Sequence, residues 1–128
     1  MILLDTCTLL WLVGSQKHLS PTAKQKLHEH AGHLFLSAIS AFEIGVKWTK
    51  GLLSLPSKPG VWLDKALKHH GIVEIKIDRA ICLTATSLPA IHQDPFDRLI
   101  IATAMQNQML ILTPDVTIAR YPNVQVIW

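Results

Sequence analysis

The chain has 128 residues, of which 49% are hydrophobic, and a formal net charge of +3. This length and a mean hydropathy of +0.30 are typical of one folded domain over residues 1–128, which argues against extensive disorder. No apolar run reaches the roughly 20 residues of a membrane span, so we expect no membrane partner. The N-terminus lacks the pattern of a signal peptide, and two cysteines are typical of a reduced, cytoplasmic setting rather than a disulfide framework.

The first half of the chain alternates short apolar runs with amphipathic stretches. The segment ILLD is predicted to be a strand, and TCTLLWLVG a helix that ends at its glycine. A helix is predicted from Ser20, as N-cap, and Pro21, in the first turn, to Gly32. The segment LFLS predicts a buried strand, AISAFEIGVKWTKG a helix, LLSLPSKPG a loop and VWLDKALKHHG another helix.

The second half continues the alternation. The segment IVEIKI predicts a strand, and DRAICLTATSL a helix that ends before Pro89. A further helix is expected over residues 95–107, followed by a buried strand in MLILT and an edge strand in VQVIW. Short strands alternating with helices indicate an α/β fold with a mainly parallel sheet.

Three carboxylates are predicted to lie at one edge of that sheet. Asp5 ends the first strand, Asp115 closely follows the LILT strand, and Asp97 lies in the first turn of a helix. In parallel α/β sheets, ligands bind beyond the carboxyl ends of the strands, and helices that run back along the sheet start at that same edge. The three acids are therefore expected to converge there.

Glu43 is a fourth acid expected at this edge. It lies about two turns into the helix after LFLS, on the same side as Ile39 and Val46. An unpaired carboxylate on a buried helix stripe is unfavourable, so its position suggests a cation or another partner.

The pattern of the stretch HQDPFDRLI predicts different roles for its two acids. Asp94 has the placement of an N-cap, Pro95 suits the first helical position, and Asp97 comes third. Asp97 also begins an apolar stripe that continues at Ile100 and Ile101. We therefore predict a supporting role for Asp94 and a metal-binding role for Asp97.

Converging acids repel one another unless a cation neutralises them. Hard oxygen ligands of this kind suit Mg²⁺ or Mn²⁺, which assist the attack of water on a phosphodiester. If the five acids discussed above share one site, only four others remain against twelve Lys and Arg. An acidic pocket on a basic surface favours a polyanionic substrate.

Each acid also has a purely structural explanation. Asp5 could cap the following helix, and Asp115 could be a turn residue. Ser40 and Glu43 have the spacing of a capping box, and Glu43 could pair with Lys47 at i+4.

Four segments, taken together, resemble the PIN-domain ribonucleases and specifically the VapC-type toxins of bacterial type II toxin–antitoxin pairs. They are LLDTCTLLWL, SAISAFEIGVK, HQDPFDRLIIATA and LTPDVTIARY. The resemblance implies a three-layer α/β/α sandwich and a Mg²⁺- or Mn²⁺-dependent endoribonuclease acting on RNA. It also implies a homodimer and inhibition by a cognate antitoxin protein.

By motif position, the resemblance implies that the catalytic and metal-binding acids are Asp5, Glu43, Asp97 and Asp115. Thr6 would be the small polar residue near the metal, with Thr113 beside the fourth acid. Cys7 departs from the family pattern, in which His, Asn or Ser is more frequent, so no role is expected for that position.

Other polar and aromatic residues have two interpretations each. Arg98 could support the site by contacting phosphate or bracing the carboxylates, or it could form an ordinary ion pair. Lys47, Trp48 and Lys50 could hold RNA by phosphate contact and stacking, whereas Trp48 could instead be a core or interface residue.

Two alternative functions remain open at this stage. A catalytically silent PIN-like interaction module would keep the fold and lose the activity. A phosphotransfer enzyme could use Asp5 as nucleophile, although position 7 is Cys where a dehalogenase-type signature has a second Asp.

Overall fold

The computed structural model describes residues 1–128 as a central sheet covered by helices on both faces. The strands are β1 Ile2–Leu4, β2 Leu34–Ser37, β3 Ile72–Ile75, β4 Leu110–Leu112 and β5 Val126–Ile127. All pairings are parallel and the strand order is β3-β2-β1-β4-β5. The predicted parallel sheet is confirmed, with β5 at an edge as expected.

Six helices follow the order that the sequence predicts. They are α1 Thr6–Val13, α2 Pro21–Glu29, α3 Ala38–Thr49, α4 Pro59–His70, α5 Arg79–Ser87 and α6 Pro95–Asn107. Two short 3₁₀ turns, Gln16–His18 and Ile118–Arg120, were not predicted. None of the helices has the length and apolar character needed to cross a membrane.

Proline and serine set several helix starts. Ser20 accepts a hydrogen bond from the backbone N–H of Ala23, and Pro21 opens α2, as predicted. Helix α4 starts at Pro59, two residues before the predicted segment, because proline suits the first turn, where its missing N–H has no helical partner. It ends at Gly71, which adopts the left-handed conformation with φ 61°.

The core lies on both faces of the sheet because successive strand residues point in opposite directions. Ile2 and Leu4 pack in the larger cluster with residues of α1, α2, α3 and α4. Leu3 and Ile111 pack with α6 in the second cluster, and α5 packs beside α6 through Ile81. The result is the three-layer α/β/α sandwich that the resemblance implied.

Candidate active site

The candidate site lies where the strand order changes direction. From β1 the chain continues to β2 on one side of it, whereas β4 pairs with the other side of β1 and continues away from it to β5. Such a switch point opens a crevice at the carboxyl ends of the strands. Asp5 directly follows β1, and Asp115 comes three residues after the end of β4.

Asp5 is buried and held by several donors. It is the N-cap of α1 and accepts a hydrogen bond from the Thr8 N–H to Oδ1 at 2.9 Å. Its Oδ2 accepts a hydrogen bond from the Thr113 hydroxyl. Burial raises the pKa of Asp5, and the hydrogen bonds from Thr113 and Thr8 oppose that rise. The capping alternative is therefore confirmed, and it engages only part of the carboxylate's acceptor capacity.

Cys7 lies against the same carboxylate. Its thiol donates to Asp5 at 3.3–3.4 Å. Burial, followed by the charge of Asp5, raises the pKa of the Cys7 thiol. In the metal-free protein the thiol is therefore protonated at neutral pH and acts as a weak hydrogen-bond donor.

Glu43 is buried in the second turn of α3 and is only half satisfied. Its Oε2 accepts a hydrogen bond from Lys47 Nζ at 2.9 Å, which confirms the predicted i+4 pair. Its Oε1 is buried without any hydrogen-bond partner. An unpaired buried carboxylate oxygen is unfavourable unless a cation or a bound donor satisfies it.

The capping-box alternative for Glu43 is wrong. The N-cap of α3 is Ser37 rather than Ser40, because the helix begins directly after β2. Ser40 is instead buried within the helix and accepts a hydrogen bond from the Thr6 hydroxyl at 2.9 Å. This bond joins the start of α1 to the turn of α3 that precedes Glu43.

Four neighbouring ionisable side chains influence the pKa of Asp97. Desolvation raises the pKa of Asp97 to about 6, and the negative charges of Asp94, Asp115 and Glu43 act in the same direction. His92 opposes them. Asp94 at the start of the same helix, and Asp115 and Glu43 from other elements, therefore lie close enough to influence Asp97.

His92 lies between two of the predicted acids. Its Nε2 is 2.8 Å from Asp97 Oδ2 and 3.7 Å from Asp115 Oδ2. The sequence pattern alone predicts no role for His92. The available signal was its position two residues before the N-cap of α6, which places it at the same rim.

Thr113 links the acids that follow β1 and β4. Its hydroxyl donates to Asp5 and accepts a hydrogen bond from the Asp115 N–H at 3.1 Å. Asp115 Oδ1 accepts a hydrogen bond from the Thr117 N–H at 2.8 Å, which confirms the turn alternative for Asp115. One carboxylate oxygen of Asp115 is thus used in the turn, and the other is the one nearest His92.

Asp94 is the N-cap of α6, as predicted, with Oδ1 accepting from the Phe96 N–H at 2.9 Å. Donor atoms of His92, Asp94 and Asp97 all lie within 4.8 Å of one another. This tight group differs from the predicted set of four acids, because it contains the capping acid and a histidine. It shares Asp97 with that set.

Arg98 supports the loop before α6 rather than the carboxylates. Its guanidinium forms no ion pair and donates to four backbone carbonyls and one hydroxyl. The acceptors, at 2.9–3.4 Å, are the carbonyls of Ala85, Leu88, Pro89 and His92 and the hydroxyl of Tyr121. The expected bracing of the carboxylates and the alternative ion pair are both wrong, because the fork of N–H groups binds the end of α5 and the following loop.

The proposed RNA-binding cluster lies at the end of α3. Lys47 is paired with Glu43, whereas Trp48, 38% exposed, and Lys50 both face solvent. The core alternative for Trp48 is therefore wrong. Contact of these residues with RNA stays a prediction.

The donor set fits a hard divalent cation. It offers carboxylate oxygens from several elements, and the one at Glu43 Oε1 is buried and unpartnered. Desolvation and neighbouring negative charges also disfavour the ionised form of Asp97. A cation would relieve both. Mg²⁺ and Mn²⁺ suit such oxygen ligands.

The chain is similar in sequence to known proteins. The PIN domain family matches residues 2–124. The chain is 31% identical over 130 residues to Ribonuclease VapC22 of Mycobacterium tuberculosis, covering 99% of this chain and 98% of that protein.

Solved structures show the same fold. VapBC2 from Rickettsia felis, bound to a promoter DNA fragment, contains a chain that matches with a TM-score of 0.74 at 18% identity, covering 99% of this chain and 98% of that one. FitAcB from Neisseria gonorrhoeae matches with a TM-score of 0.69 at 22% identity, covering 100% and 97%. The resemblance seen in the sequence is confirmed, and the chain belongs to the PIN domain family.

Proposed function

We propose that this protein is a Mg²⁺- or Mn²⁺-dependent endoribonuclease that hydrolyses phosphodiester bonds in RNA. The observation that carries the proposal is the buried, unpartnered Oε1 of Glu43 close to Asp97, whose pKa is raised by desolvation and by the charges of nearby acids. A fold that served only as an interaction module would gain nothing from burying such a group, which lowers its stability.

The proposed metal ligands and catalytic residues are Asp5, Glu43, Asp97 and Asp115. A divalent ion held by such carboxylates stabilises the charge that develops on the phosphate oxygens and lowers the pKa of the attacking water. His92, whose Nε2 lies 2.8 Å from Asp97 Oδ2, is a further candidate for holding the ion or its waters.

The supporting residues fix the carboxylates in place. Thr113 orients Asp5 and the turn that carries Asp115. Thr6 holds the first turn of α1 against α3. Asp94 satisfies the N-terminus of α6, whose positive end favours the ionised form of Asp97.

Arg98 has a supporting role of a different kind. It fixes the loop from which His92 reaches Asp97, because it binds the His92 carbonyl at 3.2 Å together with the end of α5. Substitution of Arg98 should therefore act on the site through His92.

The environment of Asp5 argues against the phosphotransfer alternative. A nucleophilic carboxylate needs an oxygen that is open to a whole phosphoryl group, whereas an ion needs only one of its remaining lone pairs. Asp5 is 5% exposed and accepts hydrogen bonds at both oxygens, which leaves room for the ion and none for the phosphoryl group. Acyl-phosphate formation at Asp5 is therefore not expected.

We further propose that the protein is the toxin of a bacterial toxin–antitoxin pair, acts in the cytoplasm, forms a homodimer and is inhibited by a cognate antitoxin. The support comes from the 31% identical relative, which carries the name ribonuclease, and from structural neighbours solved as VapBC and toxin–antitoxin complexes. The excess of twelve Lys and Arg over nine Asp and Glu suits a polyanionic substrate.

The proposal is tested by incubating the purified protein with single-stranded RNA in Mn²⁺, in Mg²⁺ and in EDTA, and by sequencing the new ends. We expect internal cleavage with either ion and none in EDTA. Equal cleavage in EDTA would contradict the metal-dependent mechanism. No cleavage under any condition, together with stable binding to the antitoxin, would favour the silent module.

A further inference from the structure

An exposed aromatic pair lies beside the acids of the site. Phe42, directly before Glu43 in α3, is 57% exposed. Its ring meets that of Phe96, directly before Asp97 in α6, edge to face with centroids 5.6 Å apart. The pair therefore connects the two helices that carry these site acids, and one of its rings keeps most of its surface in water.

A shallow groove continues from Phe42 along α3. It has a volume of about 450 Å³ and is lined by Phe42, Gly45, Val46, Thr49 and Lys50. Gly45 leaves space at its centre, because a Cβ added there would meet no atom within 4 Å. The groove thus combines an aromatic end next to the acids with a cationic end about two turns away.

We propose that an unpaired base of the RNA substrate stacks on the ring of Phe42, with the adjoining backbone running towards Lys50. This inference rests on the proposed function and adds a residue that binds a base of the substrate. Aromatic side chains beside a basic groove hold single strands in this way, and bases within an A-form duplex cannot reach such a ring.

Charge favours a nucleic acid over a polypeptide as the occupant. The side chain that closes the groove, Lys50, is a cation. It is placed to meet a phosphate that flanks a stacked base, whereas the nearby Lys47 is paired with Glu43. Phe42 precedes Glu43 in the chain, and its ring meets that of Phe96, which precedes Asp97. A base stacked on Phe42 would therefore bring its phosphodiester towards these acids.

The first test is steady-state cleavage of a short single-stranded RNA that spans a mapped cleavage site. Phe42→Ala should raise KM by roughly 5- to 150-fold, the range expected for loss of one stacked base. Phe42→Trp should keep KM near the wild-type value because it retains a stacking face, whereas Phe42→Leu should resemble alanine. If Phe42→Leu retains full activity, the groove recognises apolar area and the stacking proposal is wrong.

A double-mutant cycle identifies the base. RNA substrates that lack one base at a time near the cleavage site are compared with wild type and with Phe42→Ala. We expect one abasic position to raise KM for the wild type and to cause no further rise in the variant. Additive losses at every position would contradict the stacking contact.

Two variants serve as controls. Gly45→Leu should raise KM by filling the groove while leaving the melting temperature unchanged or higher, since leucine is a better helix former than glycine. Leu83→Ala removes a hydrophobic side chain of similar exposure, 60%, from α5 and should leave KM unchanged. A Leu83→Ala effect as large as that of Phe42→Ala would point to a nonspecific cause and overturn the assignment.

The outcomes separate this inference from the proposed function. If the wild type does not cleave RNA, the proposed function fails. If the wild type cleaves and Phe42→Ala cleaves equally well, only the stacking inference fails. If Phe42→Ala keeps its RNA kinetics but loses the co-expressed antitoxin, the groove binds a polypeptide and the inference is also wrong.

Discussion

The sheet has an amino edge, where its parallel strands begin, and a carboxyl edge, where they end. These two edges differ in chemistry although the same strands form both. At the amino edge, the paired residues are all apolar: Ile2, Leu34, Ile72 and Leu110. At the carboxyl edge, the corresponding inner positions are polar and no more than 5% exposed: Asp5, Ser37 and Thr113. Burial of apolar groups stabilises the first edge, whereas the second buries polar groups that lower stability unless each finds a partner. The amino edge therefore stabilises the fold, and the carboxyl edge holds the residues of the proposed active site.

The largest expected effect separates two acids of the same helix turn. Asp97→Asn should reduce RNA cleavage by on the order of a thousandfold or more, since it removes a proposed ligand at the centre of the site. Its matched control, Asp94→Asn, retains a good N-cap and should keep most of the activity. Cleavage rates in Mn²⁺ measure both, and equal losses would show that the two acids share one role.

The amino edge should respond in the opposite way. Ile2→Ala removes a fully buried side chain from the larger core cluster and should lower the free energy of unfolding by about 2 to 5 kcal/mol. Urea denaturation measures this change. The activity of the folded fraction should stay close to wild type, and a specific loss of catalysis would contradict the division between the two edges.

Substitution of Arg98 tests the hydrogen bonds that hold the loop between α5 and α6. Arg98→Lys keeps the charge but cannot reproduce five hydrogen bonds from one planar fork. We expect the free energy of unfolding to fall by about 1.5 to 3 kcal/mol. Urea denaturation provides the measurement, and an unchanged midpoint would show that this network contributes little.

The smallest expected effect is a gain in stability on substitution of Asp97, and it concerns the metal-free protein. The pKa of Asp97 is about 6 in the fold and near 3.8 in the unfolded chain, so the folded form binds this proton more tightly. The fold therefore loses stability as pH rises from about 4 to about 6. Asp97→Asn avoids that loss and keeps an acceptor for His92.

In EDTA, the variant should therefore be more stable than wild type above pH 6 by on the order of 1 kcal/mol, allowing for partial solvent screening. The difference should shrink towards pH 4. Urea titrations at several pH values measure it. A variant that is less stable than wild type at pH 7.5 would contradict the assigned desolvation of Asp97 and its repulsion by nearby acids.

Much of this arrangement could be predicted from the sequence because it follows from strand direction. Once ILLD and MLILT are parallel strands, Asp5 and Asp115 must lie at one edge, and Pro95 after Asp94 fixes the start of α6. The apolar stripe after Asp97 then places that acid against the sheet. These inferences use local spacing and a general rule of parallel sheets.

Contacts between loops could not be predicted in the same way. The acceptors of Arg98 are backbone carbonyls, which leave no mark in the side-chain pattern. The contact of His92 with Asp97 depends on the path of the loop before α6. Ser40 matched a capping pattern but lies inside α3, because β2 passes into the helix directly at Ser37.

Calorimetric titration of Mn²⁺ into the metal-free protein tests the central claim most directly. The site described here predicts a saturable heat of binding for the wild type, retained in Asp94→Asn and lost in Asp97→Asn, because Asp97 is a proposed ligand and Asp94 mainly caps α6. Absence of specific binding in the wild type, or unchanged binding in Asp97→Asn, would contradict a metal site built on these acids.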